Sequence, residues 1–317
     1  MSELSETHLD TVLRAMADGR VVPLLGAGVN LCGRPEGARW QHGRYLPSGA
    51  ELADHLAVLF GYPEGELMDL LRVSEYVEVM LGSGPLYDKL HELFDADYPP
   101  SPVHELLASL PKRLGLAGRR RYQLIMTTNY DDALERAFRA AGEEFDLVWY
   151  IASSEHRGKF LHVPPDGEPR LIARPNEYHQ LSLEDRTVIL KIHGAIHRSQ
   201  PEHDSYVITE DDYIDYLTRT DVSTLMPVTL GAKLHHSHFL FLGYSMRDWN
   251  LRVMLHRIWA EQAHARTYKS WAIQLHPNRI DEEFWHRRGV DVVVTSLEDY
   301  IGRLSARVER FQTSGVG

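Results

Sequence analysis

The sequence predicts an α/β fold organised on a doubly wound parallel sheet. Three observations carry that expectation. Short apolar or β-branched runs recur along the chain, helical periodicities separate them, and four of the runs end abruptly in glycine, asparagine or histidine. Strands that alternate with helices make parallel sheets, because a parallel partner is reached only through a crossover. Composition agrees: the 317 residues are 43% apolar and 25% charged, the balance of a soluble globular protein rather than a disordered or collagen-like chain.

The first helix holds Leu9, Val12, Leu13 and Met16 at i, i+3, i+4 and i+7, with Gly19 as its stop. Val21 to Leu25 follows as a short strand that runs into Gly26-Ala27-Gly28. Pro23 has no amide hydrogen, which argues against a central, fully paired position. From about Ser48 to Leu110 the pattern is helical throughout. Ser48 and Glu51 form a capping box, Leu52, Leu56 and Leu59 a stripe, and Ser101-Pro102 a cap with proline at the first helical position. Residues 35–110 are therefore expected to be a helical module inserted into an α/β domain made of 1–34 and 111–312, with 313–317 as a frayed tail.

Further along, Tyr122 to Thr128 predicts a buried strand ending at Asn129, then a helix from Asp131 to about Ala141. Thr187 to Ile192 predicts a strand ending at His193-Gly194, and Phe239 to Leu242 one ending at Gly243-Tyr244-Ser245. A helix holding Leu251, Met254, Leu255 and Ile258 comes next. Ser270 to Leu275 and Val290 to Val294 are later strands. Ser296 and Asp299 cap a final helix whose Tyr300, Leu304 and Val308 keep helical spacing.

Charge and punctuation exclude several classes. Basic residues number 34 and acidic ones 45, a formal charge of −11, which disfavours a general nucleic-acid coat. No apolar run approaches the roughly 18 residues of a membrane span. The opening MSELSETHLD has neither the basic flank nor the apolar core of a secretory signal. One cysteine, Cys32, builds neither an internal disulfide nor a cysteine-rich zinc site. The expected setting is cytoplasmic and the expected protein zinc-free.

In a parallel sheet ligands sit beyond the carboxyl ends of the strands, so the four unusual strand exits carry the functional expectation. Gly26-Ala27-Gly28-Val29-Asn30 lets backbone amides approach a pyrophosphate. Leu31 stands where the strict dinucleotide fingerprint has its third glycine, and a plain tight turn accounts for the segment equally well. Thr127-Thr128-Asn129-Tyr130-Asp131-Asp132 offers short hydrogen-bonding side chains at a strand end, and an ordinary helix cap accounts for Asn129 equally well. His193, in Lys191-Ile192-His193-Gly194, pairs a side chain suited to proton transfer near neutral pH with a small neighbour that leaves access; a packed structural histidine is the competing reading. Ser245, in Gly243-Tyr244-Ser245-Met246-Arg247-Asp248, can bind a phosphate or cap a helix, and Arg252 can reach back to an acidic group.

Taken together, the segments GAGVN, TTNYDD, KIHG, VITEDDYIDYL and FLGYSMRDWNLR, in this order and spacing, resemble the sirtuin-like superfamily, in particular the sirtuin-like NADase domains of bacterial antiphage defence systems. The resemblance covers most of the chain. It implies a Rossmann-like NAD-binding fold and an NAD+ hydrolase that releases nicotinamide and ADP-ribose, depleting NAD in abortive infection. It implies Asn129 and His193 as the catalytic pair at the nicotinamide ribose, and Asp131 near the nicotinamide pocket. Gly26, Ala27 and Gly28 become the phosphate-binding turn, followed by Asn30, with Thr128 beside the catalytic Asn and with Gly243 and Ser245 as the phosphate- and ribose-binding turn. NAD is then the substrate and no metal is needed. The implied partners are a second copy of the chain in a homo-oligomer and a separate gating protein, such as a HerA-like ATPase or an Argonaute-like protein. No membrane is implied, and nucleic acid only indirectly or through a local basic patch.

Two departures from deacylating sirtuins refine this. The four-cysteine zinc module cannot be built from Cys32 alone. The glycine turn continues into Asn30 and Leu31-Cys32-Gly33-Arg34-Pro35 instead of a serine and the deacylases' Ala-Gly-Ile-Pro-Asp-Phe-Arg stretch. Both point from deacylation towards plain NAD cleavage with water as acceptor. Two other signals are set aside. His235-His236-Ser237-His238, the densest cluster among 18 histidines, reads as a helix end with solvated imidazoles. Lys112, Arg113, Arg119, Arg120 and Arg121 read as a solvated surface run. The alternatives to hydrolysis are an NAD or ADP-ribose sensor without turnover and a nucleic-acid-processing subunit of a defence complex.

Overall fold

The structure is a computed structural model that describes residues 2–115, 120–165, 167–219, 226–245, 252–253, 255 and 268–314. Among them ten strands form one sheet: β1 (Ser2–Glu3), β2 (Val21–Leu25), β3 (Leu124–Thr127), β4 (Phe145–Tyr150), β5 (Phe160–Val163), β6 (Arg170–Ile172), β7 (Thr187–Lys191), β8 (His238–Leu242), β9 (Ser270–Gln274) and β10 (Val290–Val294). Their order is β1-β10-β9-β8-β2-β3-β7-β4-β5-β6. Every neighbouring pair from β1 through β4 is parallel; the β4–β5 and β5–β6 pairs are antiparallel, so β5 alone runs against the other strands. Within this order, β7-β3-β2-β8-β9-β10 is the doubly wound arrangement of dinucleotide-binding folds. The chain leaves β2 towards β3 and later returns to β2's other side at β8, which makes the β2–β8 boundary the topological switch point.

Both faces of the sheet are covered, which explains why the strands read as unbroken apolar runs. Val22, Leu24, Leu124, Met126, Val188, Leu190, Phe239 and Phe241 turn to one face, and Val21, Leu25, Ile125, Ile189, Leu240 and Leu242 to the other, with the strand period of two. The first face is packed by α7 (Glu210–Arg219), α8 (Val228–His235) and α9 (Arg279–His286). The second is packed by α1 (Glu6–Ala17), α5 (Pro102–Arg113), α6 (Ala133–Ala140) and α10 (Leu297–Ser314). Between β2 and β3, α2 (Gly49–Phe60), α3 (Leu70–Leu81) and α4 (Ser83–Phe94) bury Leu52, Leu56, Val73, Val77, Leu86, Leu90 and Leu93 in a third core, shared with Tyr130, Ile196, Tyr206 and Ile208 of the α/β part. The stretch 35–110 thus divides between two cores. Its first three helices form the separate body, and α5 serves as the β2–β3 crossover of the main sheet.

Pro23 nevertheless occupies a central strand, and hydrogen-bond direction explains how. Gly26 N donates to Leu242 O (3.1 Å) and His238 N to Arg20 O (2.8 Å), so even-numbered residues of β2 face β8. Thr128 N donates to Leu25 O (3.1 Å), so odd-numbered residues face β3. Pro23 therefore turns its missing donor towards β3, where pairing starts only at Leu24. Strands β1, β4, β5 and β6 are additions to the sequence reading. In β4 the apolar run is broken by Asp146, buried and bonded to His162 Nε2 at 3.0 Å.

The signals set aside are absorbed by the fold. His235 ends α8, His236 Nδ1 donates to Ala232 O (2.9 Å), and His238 opens β8 stacked on Trp271 at 4.9 Å. Arg113 pairs with Glu309 (3.2 Å), Arg120 with Glu143, and Arg121 Nε donates to Ala17 O (2.7 Å). Arg119, Met246, Arg247, Asp248, Leu251, Met254 and Ile258 lie outside the described residues. Among those described, no helix is long and apolar enough to cross a membrane.

The switch point supplies a test. Gly243 has φ +61°, and a Cβ there would stand 2.2 Å from Val29 N. Gly243→Ala combines left-handed strain with a backbone clash, so it should lower stability by roughly 2–5 kcal/mol. Gly231→Ala in α8, where a Cβ meets nothing within 4 Å, is the control and should melt at or slightly above wild type. A Gly243→Ala melt indistinguishable from wild type would contradict the crossing described here.

Candidate functional site

The glycines are explained by how closely two strand exits approach. Gly28 N donates to Gly243 O at 2.8 Å, and a Cβ on Gly28 would sit 2.5 Å from that same oxygen. Past this crossing Ala27–Leu31 forms a single 3-10 turn, and the sheet splays open into a cleft of about 830 Å³. That lies within the usual range for ligand clefts, roughly 300–1,000 Å³. All ten residues singled out from the sequence line it: Gly26, Ala27, Gly28, Asn30, Thr128, Asn129, Asp131, His193, Gly243 and Ser245.

Asn129 and His193 arrive there by register. Thr127 pairs with Lys191, and each site residue lies two positions beyond its member of that pair. Asn129 N donates to Thr127 Oγ1 (3.0 Å) and Asn129 Nδ2 to Gly26 O (3.3 Å), so the amide is oriented against the glycine turn and its Oδ1 is left to accept from a ligand. Asn30 Nδ2 donates to Asp131 Oδ2 (3.4 Å), and Ala133 N to Asp131 Oδ1 (3.1 Å). Asn30 Oδ1 is buried without a hydrogen-bond partner among the described residues. Thr128 is committed to the frame, with both its amide and hydroxyl directed at Leu25 O.

Behind the cleft, Lys191 is almost completely buried. Its ammonium donates to Tyr130 O (3.3 Å), to Asp131 O and to Glu135 Oε1 (2.6 Å). The strand that delivers His193 thereby grips the loop that carries Asn129. Burial pushes the Glu135 carboxyl up from the ordinary range, and the Lys191 charge opposes that shift. His104 lies nearby on α5. Burial holds its imidazole down at about 4, against the pull of Asp131, and its Nδ1 accepts from Ser101 N at 3.1 Å.

His193 itself is buried, and Val207 N donates to its carbonyl (2.8 Å). Gly194 follows at φ +92°, where a Cβ would meet Ser205 O at 2.1 Å, so the chain turns away at once. Tyr213 Oη stands 3.4 Å from His193 Nδ1.

Sequence reasoning missed the remaining walls. The start of α2, Pro47 to Leu52, closes one side together with Leu70 and Phe94. The exits of β9 (Ile273 to Leu275) and β10 (Thr295 to Glu298) close another. The carboxyl-end rule, applied to those two strands as well, would have found the second wall. The α2 wall is held by Glu51, which takes a two-pronged bond from Arg34 (2.6 and 2.9 Å) and further bonds from Ser48 N and Trp40 N. Burial alone would raise this carboxyl; those donors outweigh it and bring it down from 4.5 to about 2. Arg252 reaches Asp281 on α9 (2.6 Å). Among the described residues no group of three or more histidine, cysteine, aspartate or glutamate side chains is arranged to hold a metal.

Comparison with known proteins shows the family. Residues 123–293, more than half of the chain, match the family model of the SIR2-like domain. The chain is 28% identical over 213 residues to the NAD(+) hydrolase ThsA of Enterococcus faecium, covering 66% of this chain and 36% of that protein. It is 25% identical over 252 residues to the NAD(+) hydrolase ThsA of Acinetobacter baumannii (strain 532279), covering 79% and 41%. The matched part spans about two-fifths of those relatives' length.

Two measurements test the frame. Lys191→Met leaves a buried carboxylate without its cation and should cost about 3–5 kcal/mol, whereas Lys191→Met/Glu135→Gln should recover most of it. Additive losses in that cycle would remove the pair as an anchor. For Glu51, the folded pKa lies below the unfolded one, so its stabilisation is full above about 4.5 and is lost as pH falls towards 2. Glu51→Gln should therefore flatten the acid limb of the stability profile; equal acid slopes would contradict the assignment.

Proposed function

The chain belongs to the SIR2-like domain family, and on that premise we propose that it is an NAD+ hydrolase cleaving the nicotinamide–ribose bond to nicotinamide and ADP-ribose. The observation that carries this reading is the convergence of Asn129 and His193 on one cleft with the glycine crossing at Gly28 and Gly243. The names of the two relatives support it.

The Gly26 and Gly28 amides are spent on the crossing, so the pyrophosphate lies against the Ala27 amide and the Gly243–Ser245 turn, with the glycines keeping the two exits close. Asn129 Oδ1 accepts from a ribose hydroxyl or from the attacking water, and Asp131 with Asn30 borders the nicotinamide end. The nicotinamide nitrogen is cationic in NAD+. When its bond to C1′ breaks, the electron pair returns to the ring and neutral nicotinamide departs, so no leaving-group acid is required. The transition state is oxocarbenium-like. Water forms the new C1′–O bond and gives a proton to His193, which passes it to solvent. The acceptor on this reading is water, with the start of α2 and Phe94 lining the cleft as a wall against a peptide.

Its role is NAD depletion in the cytoplasm during antiphage defence. Gating by homo-oligomerisation or by a separate partner, such as a HerA-like ATPase or an Argonaute-like protein, keeps the resting cell alive. These points rest on the family resemblance and on the toxicity of an ungated NADase.

Incubation with NAD+ and assay of free nicotinamide is the direct experiment. Where wild type turns over, Asn129→Ala and His193→Ala should each lose roughly 10²-fold or more while melting within a few degrees of wild type. Acetyl-lysine peptides should change neither the rate nor the products. Wild-type turnover by either variant removes the catalytic assignment, and release that depends on peptide moves the chain to deacylation.

A further inference from the structure

We propose that Tyr213 is a positioning residue that fixes the tautomer of His193: the imidazole donates from Nδ1 to the Tyr213 hydroxyl oxygen, which makes Nε2 the nitrogen that accepts the proton. The contact itself is geometric, while its direction and its catalytic consequence rest on the hydrolase reading above.

Tyr213 lies on α7, inside the acidic Glu210-Asp211-Asp212-Tyr213 segment, and lines the cleft beside His193. Its hydroxyl is 3.4 Å from Nδ1, and the two rings meet edge-on, with centroids 5.3 Å apart at 90°. Catalytic hydrogen bonds of this length tighten when substrate is bound. Tyr216, one helical turn on, meets the same imidazole edge-on at 5.9 Å and packs in turn against Tyr150 at 4.8 Å. Residues three apart share a helix face, so α7 presents a two-tyrosine wall to His193.

That wall is held in place independently of the histidine. Thr209 and Asp212 cap α7 reciprocally: Asp212 N donates to Thr209 Oγ1 and Thr209 N to Asp212 Oδ2, both at 3.1 Å. Arg157 ties Asp215 to the β4–β5 connection at 2.7 Å. The histidine backbone is equally fixed, by Val207 N and by the turn at Gly194. Two rigid supports thus set one ring nitrogen against one hydroxyl.

The consequence is chemical. Neutral imidazole has one donor and one acceptor nitrogen, and the partner of one nitrogen decides the role of the other. If the phenol donated to Nδ1, Nε2 would carry the hydrogen and could not take a proton from water. With Nδ1–H donating to the phenol oxygen, Nε2 carries the lone pair and is the nitrogen that can take a proton. Tyr213 touches neither the water nor C1′ in this scheme and acts through His193.

The test is ¹⁵N-histidine NMR on the full chain, with the His193 signal assigned by its loss in His193→Ala. Wild type should show a protonated Nδ1 and an unprotonated Nε2. Tyr213→Phe, which keeps the ring contacts, should shift His193 towards the Nε2–H form. It should also lower kcat by about 10- to 100-fold with KM within about twofold. A wild-type Nε2–H tautomer, or a Tyr213→Phe protein with unchanged tautomer and kcat, overturns the proposal. The spectra need no turnover. The expected tautomers in a protein that releases no nicotinamide would support the Tyr213 contact and remove the hydrolase reading instead.

Discussion

The backbone crossing of Gly28 and Gly243 is the constraint on which the rest of the structure depends. Two strand exits on either side of the switch point come so close that neither position has room for a Cβ. The contact is secured by a main-chain hydrogen bond, Gly28 N to Gly243 O, rather than by side chains. A turn fixed in that way holds its other amides at a set height above the sheet. Because β3 and β8 diverge from β2 on opposite sides, the space above the crossing cannot close. The cleft is therefore a product of topology before any site residue is placed.

Parallel register then does the placing. Asn129 and His193 are far apart in sequence, yet each lies two residues past the Thr127–Lys191 pair on adjacent strands. Strands lie about 4.8 Å apart, so a shared register puts the two exits side by side. Lys191 converts that proximity into rigidity. A lysine this deeply buried is tolerated only if its charge is paired and its donors are used. Glu135 supplies the charge, and the carbonyls of Tyr130 and Asp131 take donors. The same side chain thus holds the Asn129 loop down on the His193 strand.

This division of labour explains what the sequence makes legible. Strands buried on both faces appear as apolar runs, and their exits stand out because Gly, Asn and His interrupt those runs. All ten expected site residues sit at such exits. The strand β4 hides behind Asp146, a buried charge whose compensation by His162 is visible only in three dimensions. The strands β5 and β6 are four and three residues long, too short for a period to emerge. Pro23 misleads because sequence gives the missing donor but not the direction it faces. Tyr213 and the α2 wall escape because their acidic, helical segments carry ordinary surface patterns, and only the tertiary fold turns one edge of each towards the cleft.

The helical body α2–α4 is more than a wall, since it is fastened to the exits that carry Asn129 and His193. Its core takes in Tyr130 from the β3 exit and Ile196, Tyr206 and Ile208 from the segment after His193. Asp204, in that segment, accepts from His91 Nδ1 on α4 (2.7 Å), from Tyr206 Oη (2.8 Å) and from His197 N (2.7 Å). Tyr130 Oη donates to Val207 O (2.7 Å), closing the circuit back to the Asn129 loop. Of the three, the His91 bond joins α4 to the segment, while those from Tyr206 and His197 fix Asp204 within it; a hydrogen bond to a charged group is worth about 1.5–3 kcal/mol, so the His91 bond opposes separation by that order. A displacement of α4 cannot leave the His193 segment unmoved without breaking the His91–Asp204 bond. The helical body is thus packed and bonded to the exits that carry Asn129 and His193.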